Sequence, residues 1–199
     1  MSGAQSAREA ALEKVAKSGI TLGTLGKDLC GDREVVLTAV GQHGAALPYA
    51  SQELRADREV VLKAVSHVGT ILEFAASELR SDREVVATAV AQSSRALVYA
   101  SKELLEDEGF APEARQELYL FRVAALSGES CLVALEPNHH SPLNAVVQRS
   151  CSRLGIEVKA IDGGKLLFGT EVVPDGASDV NSWPGSPSLG AVVEYQLVK

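Results

Sequence analysis

The sequence has few aromatic residues, few cysteines and no long apolar run. Aromatic residues make up 5% of the 199 residues while 46% are hydrophobic, so we expect a core of small aliphatic side chains. The three cysteines, Cys30, Cys131 and Cys151, show no CxxC spacing, which fits structural thiols better than a disulfide framework. No stretch approaches the roughly 18 apolar residues of a membrane span, and the first residues lack an apolar signal region. We therefore expect a soluble intracellular protein, cytoplasmic or nuclear.

Basic residues are fewer than acidic residues: the sequence has 19 lysines and arginines and 26 aspartates and glutamates, which gives a net charge of −7. Nucleic acids and membrane surfaces require clustered positive charge, so we expect neither as a partner. The patterns of a nucleophile elbow, a zinc site and a phosphate loop are missing. The histidines, His43, His67, His139 and His140, have no cysteine or carboxylate at ligand spacing. We expect no enzymatic activity, no cofactor and no metal, which leaves other proteins as the expected partners.

What the sequence does contain is one 25-residue unit repeated four times. Three copies begin at Asp32, Asp57 and Asp82 without any gap, and a degenerate copy begins at Ala7. Repetition at a fixed period indicates stacked units that each pack on their neighbours. In each clear copy the aspartate precedes a helical pattern and can accept the free N–H groups of the first turn. Residues 7–106 are therefore predicted to form four α-helical repeats.

Within one repeat the pattern predicts two helices that form a hairpin. The first is a helix of about ten residues with one buried face. In the third copy that face comprises Val60, Val61, Ala64 and Val65. The second helix carries a stripe spaced i, i+3, i+7, which comprises Leu47, Ala50 and Leu54, then Leu72, Ala75 and Leu79, then Leu97, Ala100 and Leu104. We expect Gly44 and Gly69 to end first helices and Pro48 to open a second one, which argues against one continuous helix.

The clear copies read DREVVLTAVGQHGAALPYASQELRA, DREVVLKAVSHVGTILEFAASELRS and DREVVATAVAQSSRALVYASKELLE. They resemble the family known as domain of unknown function 4116, and the resemblance covers residues 7–106. It implies an all-helical repeat and assigns no activity. Stacking would align charged side chains in two columns, which form either a solvated face or a docking ridge. The columns are Arg33, Arg58 and Arg83, and Glu53, Glu78 and Glu103.

The repeat register fails after Leu104, although Asp107 keeps the 25-residue step. Gly109 and Pro112 interrupt the next helix, so residues 107–117 are predicted to be a linker with a short helix near its end. The segment LYLFRVAALSGESCLVALEP then alternates strongly, which predicts a β-hairpin with a Ser-Gly turn. A helical pattern that ends at Gly155 and three further short strands follow.

The hairpin, the helical pattern and the later strands follow the β-grasp order of strand, strand, helix, strand, strand, with the segment KLLFGTEVVPDG supplying two short strands before the last one. Residues 118–199 resemble ubiquitin-like domains in the LSG turn, the EP before the helix, the LGI at its end, the segment LLFGTEVVPDG and the closing strand. The resemblance implies protein recognition through an apolar patch on the sheet face. Leu126 and Leu167 match two patch positions, Gln196 stands where an apolar residue is common, and Lys165 is included as a fourth candidate contact residue. The two leucines either form a contact surface for a partner or do not. In the second case they are surface residues without a partner, or the helical repeats cover them.

The predicted fold class is α+β with two domains, an all-α helical-hairpin repeat array followed by a ubiquitin-like β-grasp domain. The sequence closes on Gln-Leu-Val-Lys rather than the Gly-Gly that conjugation requires, so we expect a domain that is not conjugated to other proteins. We interpret the chain as a noncatalytic adaptor or scaffold. One alternative is a structural subunit of a larger assembly with no independent binding activity. The other is a cryptic enzyme that uses Cys30 or His67 in a pocket where the modules meet.

Overall fold

The N-terminal half of the chain repeats the same elements every 25 residues. A computed structural model describes residues 3–125, 129–135, 145–149, 165–168, 171–173, 180, 183 and 192–198. The chain divides into two units, Met1–Ser101 and Lys102–Lys199. The α-helices of the first unit are α1 (Gly3–Lys17), α2 (Lys27–Cys30), α3 (Arg33–Gln42), α4 (Gln52–Arg55), α5 (Arg58–His67), α6 (Ser77–Arg80) and α7 (Arg83–Gln92). Its 3₁₀ helices are η1 (Gly19–Thr24), η2 (Gly44–Tyr49), η3 (Gly69–Phe74) and η4 (Ser94–Tyr99).

The ten-residue helices begin at the predicted aspartates. Asp57 Oδ1 accepts the backbone N–H groups of Glu59 and Val60 at 3.0 and 3.1 Å, and Asp32 and Asp82 cap α3 and α7 in the same way. Each aspartate satisfies two of the four N–H groups that a helix start leaves unpaired. The predicted core face of α5 is confirmed, because each of its members is fully buried. These are Val60, Val61, Ala64 and Val65.

The prediction of one second helix per repeat is wrong, because a 3₁₀ helix and a short α-helix stand in its place. In the second repeat η2 ends with the amide of Ala50 donating to the carbonyl of Leu47 at 3.0 Å, the i→i+3 bond of a 3₁₀ helix. Ala50 itself is extended. The amide of Ser51 then donates to the carbonyl of Cys30 in the preceding repeat at 2.9 Å. A hydrogen bond between repeats therefore replaces one within the expected helix.

Gly44 and Gly69 have a different role from the one predicted, because they open 3₁₀ helices and neither has a positive φ. A Cβ built on Gly44 would lie 2.4 Å from the carbonyl oxygen of Ala64, and one on Gly69 would lie 2.2 Å from that of Ala89. Glycine is required at these positions because successive repeats approach each other so closely. Pro48, expected at a helix start, lies inside η2.

The described residues of the second unit form short helices and a sheet. Its elements are α8 (Lys102–Glu106), α9 (Pro112–Arg115), β1 (Tyr119–Ala125), β2 (Ser130–Leu135), β3 (Lys165–Phe168), β4 (Glu171–Val172) and β5 (Val192–Val198). Within the described residues the strand order is β2-β1-β5-β3-β4. β1 pairs antiparallel with β2 and parallel with β5, and β3 pairs antiparallel with β4 and β5. The predicted hairpin is thus confirmed as β1–β2, and its turn at Ser127 and Gly128 lies outside the described residues.

One face of the sheet carries an aromatic core. The ring centroid of Phe121 lies 5.4 Å from that of Trp183 and 5.7 Å from that of Tyr195. Residues 145–149 are helical, and Val146 among them is buried in the same cluster. The other residues of the helix predicted after the hairpin lie outside the described residues.

The opposite face of the hairpin is buried as well, because α8 packs against β2. Leu132 and Ala134 of β2 and Leu105 of α8 are each almost completely covered. Arg115 of α9 is also buried, and its Nη1 donates to the carbonyl of Leu105 at 2.6 Å. This bond ties α9 to the end of α8 and holds both helices in the second unit.

The longest helix in the described part of the chain is α1, with 15 residues. None of the helices that the structure describes is both long and apolar enough to cross a membrane.

Candidate protein-binding surfaces

A ladder of ion pairs crosses the repeats of the first unit. One arginine of each of the first three repeats contacts the aspartate that caps the ten-residue helix of the next repeat and a glutamate in the first turn of that helix. Arg33 Nε lies 2.8 Å from Asp57 Oδ2, and Arg33 Nη2 lies 2.5 Å from Glu59 Oε2. The equivalent sets are Arg8 with Asp32 and Glu34, and Arg58 with Asp82 and Glu84. The predicted arginine column is therefore, at Arg33 and Arg58, a contact between repeats.

The predicted glutamate column contributes no residue to the three described sets of this ladder. Glu53, Glu78 and Glu103 occupy the short helices α4, α6 and α8, and all three are exposed. They are solvated, and whether a partner contacts them stays a prediction.

The ladder lowers the pKa of the aspartates within it. The hydrogen bond from Arg33 is the main cause that lowers the pKa of Asp57, the amide of Val60 adds to it, and partial burial opposes it. Arg8 and Arg58 likewise lower the pKa of Asp32 and Asp82. These carboxylates therefore stay ionised at acidity that begins to protonate an unpaired aspartate.

Aromatic side chains repeat at one surface position of the array. Tyr49 and Phe74 are the last residues of η2 and η3, and they are 48% and 38% exposed. Tyr99 holds the equivalent place at the end of η4 and is partly exposed. The ring of Tyr49 lies against Gly23 of the preceding repeat, where an added Cβ would come within 2.9 Å of it. We call Tyr49, Phe74 and Tyr99 the aromatic column, and exposed aromatic side chains are enriched at protein-binding surfaces.

A cavity of about 270 Å³ lies beside the aromatic column, between the second and third repeats. Its lining residues are Gln52, Arg55, Phe74, Ala75, Ala76, Ser77 and Glu78. The amide of Ala76 donates to the carbonyl of Arg55 at 3.0 Å. This hydrogen bond fixes the end of α4 against the segment that connects η3 to α6, so the cavity is held by backbone contacts.

Arg55 and Arg80 hold equivalent positions at the ends of α4 and α6. Within the described residues, the Nε–H group of each is buried without a hydrogen-bond partner, and neither side chain forms an ion pair. Arg33 and Arg58, in contrast, each contact two carboxylates. The surface beside the aromatic column thus contains two cationic groups whose pairing capacity the described part of the chain does not use.

Three of the four candidate contact residues of the second unit lie on neighbouring strands. Leu167 of β3 is paired with Gln196 of β5, and Lys165 lies two positions from Leu167 on the same strand. Gln196 is also paired with Ala124 of β1, so strand alternation assigns these positions to the face opposite the aromatic core. Leu126 lies outside the described residues. The use of this face as a contact surface stays a prediction.

The hairpin end of that same face is already occupied by the chain. Leu132 and Ala134 pair with Arg122 and Leu120 of β1, and α8 covers them. A partner that uses this sheet face would therefore reach it from β3 and β5 rather than from β2.

Within the described residues, groups suited to metal or nucleophilic chemistry are not brought together. His43 follows α3 and His67 ends α5, and both are exposed. The described part of the chain contains no group of three or more histidine, cysteine or acidic side chains that would hold a metal ion. Burial raises the pKa of the Cys30 thiol, which disfavours the nucleophilic thiolate. Cys151, His139 and His140 lie outside the described residues.

The aromatic column, and the two arginines Arg55 and Arg80 that have no partner within the described residues, were not predicted from the sequence. The available signal was the spacing, because Tyr49, Phe74 and Tyr99 are 25 residues apart, as are Arg55 and Arg80. Aromatic residues are scarce in this chain, so three at one repeat position stand out from its composition.

Comparison with known proteins concerns the repeats alone. Residues 8–55 and 57–105 each match the sequence model of a family described as Domain of unknown function (DUF4116). Each match spans about two of the 25-residue repeats, which confirms the resemblance of the repeats, while the resemblance of the C-terminal part to ubiquitin-like domains stays a prediction. No curated protein and no solved structure matches the chain. The N-terminal repeats are thus similar to those of the DUF4116 family, and that description attaches no activity to them.

Proposed function

We propose that this chain is a noncatalytic protein-binding module, an adaptor or scaffold in which a helical repeat platform is combined with a ubiquitin-like docking domain. The observation that carries the proposal is the aromatic column. Tyr49 and Phe74 are the large side chains that the repeats leave exposed at equivalent positions, beside a cavity framed by backbone hydrogen bonds. Exposed aromatic side chains next to a concavity supply the anchoring contacts of many protein interfaces.

The second part of the proposal is that the C-terminal unit is a β-grasp domain. The chain order supports it, because helical residues 145–149 stand between the β1–β2 hairpin and strands β3 to β5. The parallel pairing of β1 with β5 closes the two ends of this unit into one sheet, and Val146 packs on one face of it. Leu167, Lys165 and Gln196, which lie on neighbouring strands, are proposed together with Leu126 as a second docking surface.

A structural subunit of a larger assembly is the second candidate. The observation in its favour is strand β2, in which successive residues from Cys131 to Leu135 are buried, so that both faces of the strand are covered. Under this alternative the exposed positions of both units would be covered permanently in the assembly, and the isolated chain would bind no partner of its own.

Capture of partners from native extract tests the proposal with four forms of the full chain. These are the wild type, Tyr49→Ala/Phe74→Ala, Leu126→Arg/Leu167→Arg and the control Glu73→Gln, an exposed neighbour of Phe74. We expect specific partners that are lost with one double variant and retained with the other and with the control. Equal recovery by all four folded proteins would contradict docking at both surfaces and would favour the structural subunit.

A further inference from the structure

The cavity beside Phe74 offers two kinds of contact at once. Phe74, Ala75 and Ala76 give it an apolar wall, and the half-buried Arg55 gives it a positive charge. With a volume of about 270 Å³ it is smaller than most pockets for whole small molecules, which span roughly 300–1,000 Å³. It is large enough for one or two side chains of a peptide that lies across the array.

The absence of an ion pair at Arg55 within the described residues indicates that a ligand of this cavity would carry a negative charge. A guanidinium group presents five donors in a planar fork and binds carboxylates through two of them at once. Arg33 and Arg58 each contact two carboxylates through Nε and Nη2. Arg55, whose Nε–H group is buried without a partner, makes no ion pair in the described part of the chain although it lines a cavity with Glu78. The Ser77 hydroxyl donates to the Glu78 carboxylate at 3.2 Å. Glu78 also lowers the affinity for dense negative charge, so the cavity favours one acidic group beside an apolar one.

The repeat then extends the contact along the array. Arg80 stands at the position of Arg55 in the next repeat and is likewise unpaired within the described residues, and Tyr99 stands at the position of Phe74. A ligand that follows the stacking direction would therefore meet the same combination twice. An extended peptide is the ligand class that presents carboxylate and apolar side chains at successive positions along a line.

We propose that the surface formed by Arg55, Phe74, Arg80 and Tyr99 binds an extended acidic peptide segment of a partner protein. One aspartate or glutamate of the segment pairs with Arg55, a neighbouring apolar side chain packs on Phe74, and a second carboxylate pairs with Arg80. This inference rests on the proposed function, because it presupposes that the helical array binds proteins, and it adds the chemistry of the segment that is bound.

Selection from a phage-displayed library of random peptides on the immobilised full chain tests it. We expect the enriched sequences to carry an aspartate or glutamate close to a large apolar residue. The most enriched peptide, made with an amidated C-terminus and a fluorescein label, is then titrated with each variant and followed by fluorescence anisotropy. Amidation removes the terminal carboxylate, so that binding reports on the side-chain carboxylates alone.

The variants separate charge at this surface from charge elsewhere. Arg55→Gln and Arg80→Gln should each weaken binding about tenfold, as expected for the loss of one charge-assisted contact. Lys63→Gln removes the same charge from an exposed position on α5 and should leave the affinity unchanged. Circular dichroism of each variant establishes that the fold is intact. Phe74→Ala should also weaken binding, because it removes the apolar wall.

Three results would overturn the inference. They are a selection that enriches nothing, enriched peptides without acidic residues, and equal effects of Arg55→Gln and Lys63→Gln. Peptides that lose binding with Leu126→Arg/Leu167→Arg but not with Arg55→Gln would refute this site while the proposed function stands. Partner capture decides the proposed function independently, since it does not depend on short peptides.

Discussion

Replacement of Gly69 by alanine would test whether the close approach of repeats holds the array together. The added Cβ would lie 2.2 Å from the carbonyl oxygen of Ala89 and 2.9 Å from the side-chain oxygen of Gln92. Ordinary contacts of a Cβ begin at 3.4 Å, so the facing carbonyl would have to move by roughly 1 Å in a closely packed interior. Overpacking costs about 1–3 kcal/mol, and the stiffer unfolded chain offsets about 0.4–1 kcal/mol of it. We expect a net loss of about 1–2 kcal/mol in the free energy of unfolding.

Thermal unfolding followed by far-ultraviolet circular dichroism measures this loss. For a chain of this size the expected decrease in Tm is about 2–8 °C. Gly26→Ala is the matched control, because no atom lies within 4 Å of its added Cβ and its φ of −66° suits alanine. Its Tm should be unchanged or slightly raised. A Tm of Gly69→Ala equal to that of the wild type, or a decrease shared by the control, would refute the role assigned to the glycine.

Three further predictions concern the titratable groups. Asp57→Ala should lower the free energy of unfolding by about 1–2 kcal/mol because it removes the helix cap. Asp57→Asn keeps a capping oxygen and should lower the free energy of unfolding by less. Equal losses for the two variants in urea unfolding would contradict this assignment. Because arginine hydrogen bonds hold the folded pKa of Asp32, Asp57 and Asp82 below the unfolded value of about 3.9, their stabilisation is present above about pH 4 and lost as the pH falls through the folded pKa. The triple asparagine variant should therefore show a smaller decrease in Tm on acidification, and an unchanged decrease would count against the ladder. Burial raises the pKa of Tyr195 to about 12, so above the unfolded value of about 10 the unfolded chain ionises first and stability falls as the pH rises. Tyr195→Phe should flatten that alkaline loss, and parallel curves for the two proteins would disprove the assignment.

The starts of the repeats and the buried helix face were predictable because they depend on residues within one repeat. Asp57 caps the helix that begins one residue later, and the spacing of Val60, Val61 and Ala64 defines a helical face without reference to any neighbour. Local rules of capping and periodicity are sufficient for such features.

The second helix was mispredicted because the same stripe is buried by a different backbone. Leu47, Ala50 and Leu54 are all in the core, as their spacing indicated. A 3₁₀ helix, an extended residue and a short α-helix place them there equally well. The deciding interaction is the hydrogen bond from Ser51 to the carbonyl of Cys30, and a pattern read within one repeat does not contain the preceding repeat.

The candidate surfaces show the same division between local and nonlocal information. A column of arginines was evident from the 25-residue period, but its contact with the next repeat depends on the direction of stacking. The sequence therefore predicted Arg33 to belong to a solvated face or a docking ridge, whereas in the structure it is 49% exposed and contacts Asp57 and Glu59 of the next repeat. Arg55 and Arg80 are candidate binding residues because, within the described residues, their Nε–H groups have no hydrogen-bond partner. Sequence alone does not show which hydrogen-bond donors remain unused.

Because the ladder uses the same residue types at each described junction, one repeat can take the place of another next to a given neighbour. At each of the three described junctions an arginine of one repeat contacts an aspartate and a glutamate of the next repeat, so these junctions are built from the same residue types. Excision of residues 57–81 would bring Arg33 to Asp82 and Glu84, which are the same residue types that it contacts now. A 25-residue segment can therefore be duplicated or lost, and the remaining junctions keep the same ion-pairing residue types. The number of repeats can then change without a change in the free energy that each junction between repeats contributes. A longer array would carry more copies of the aromatic position at the same spacing.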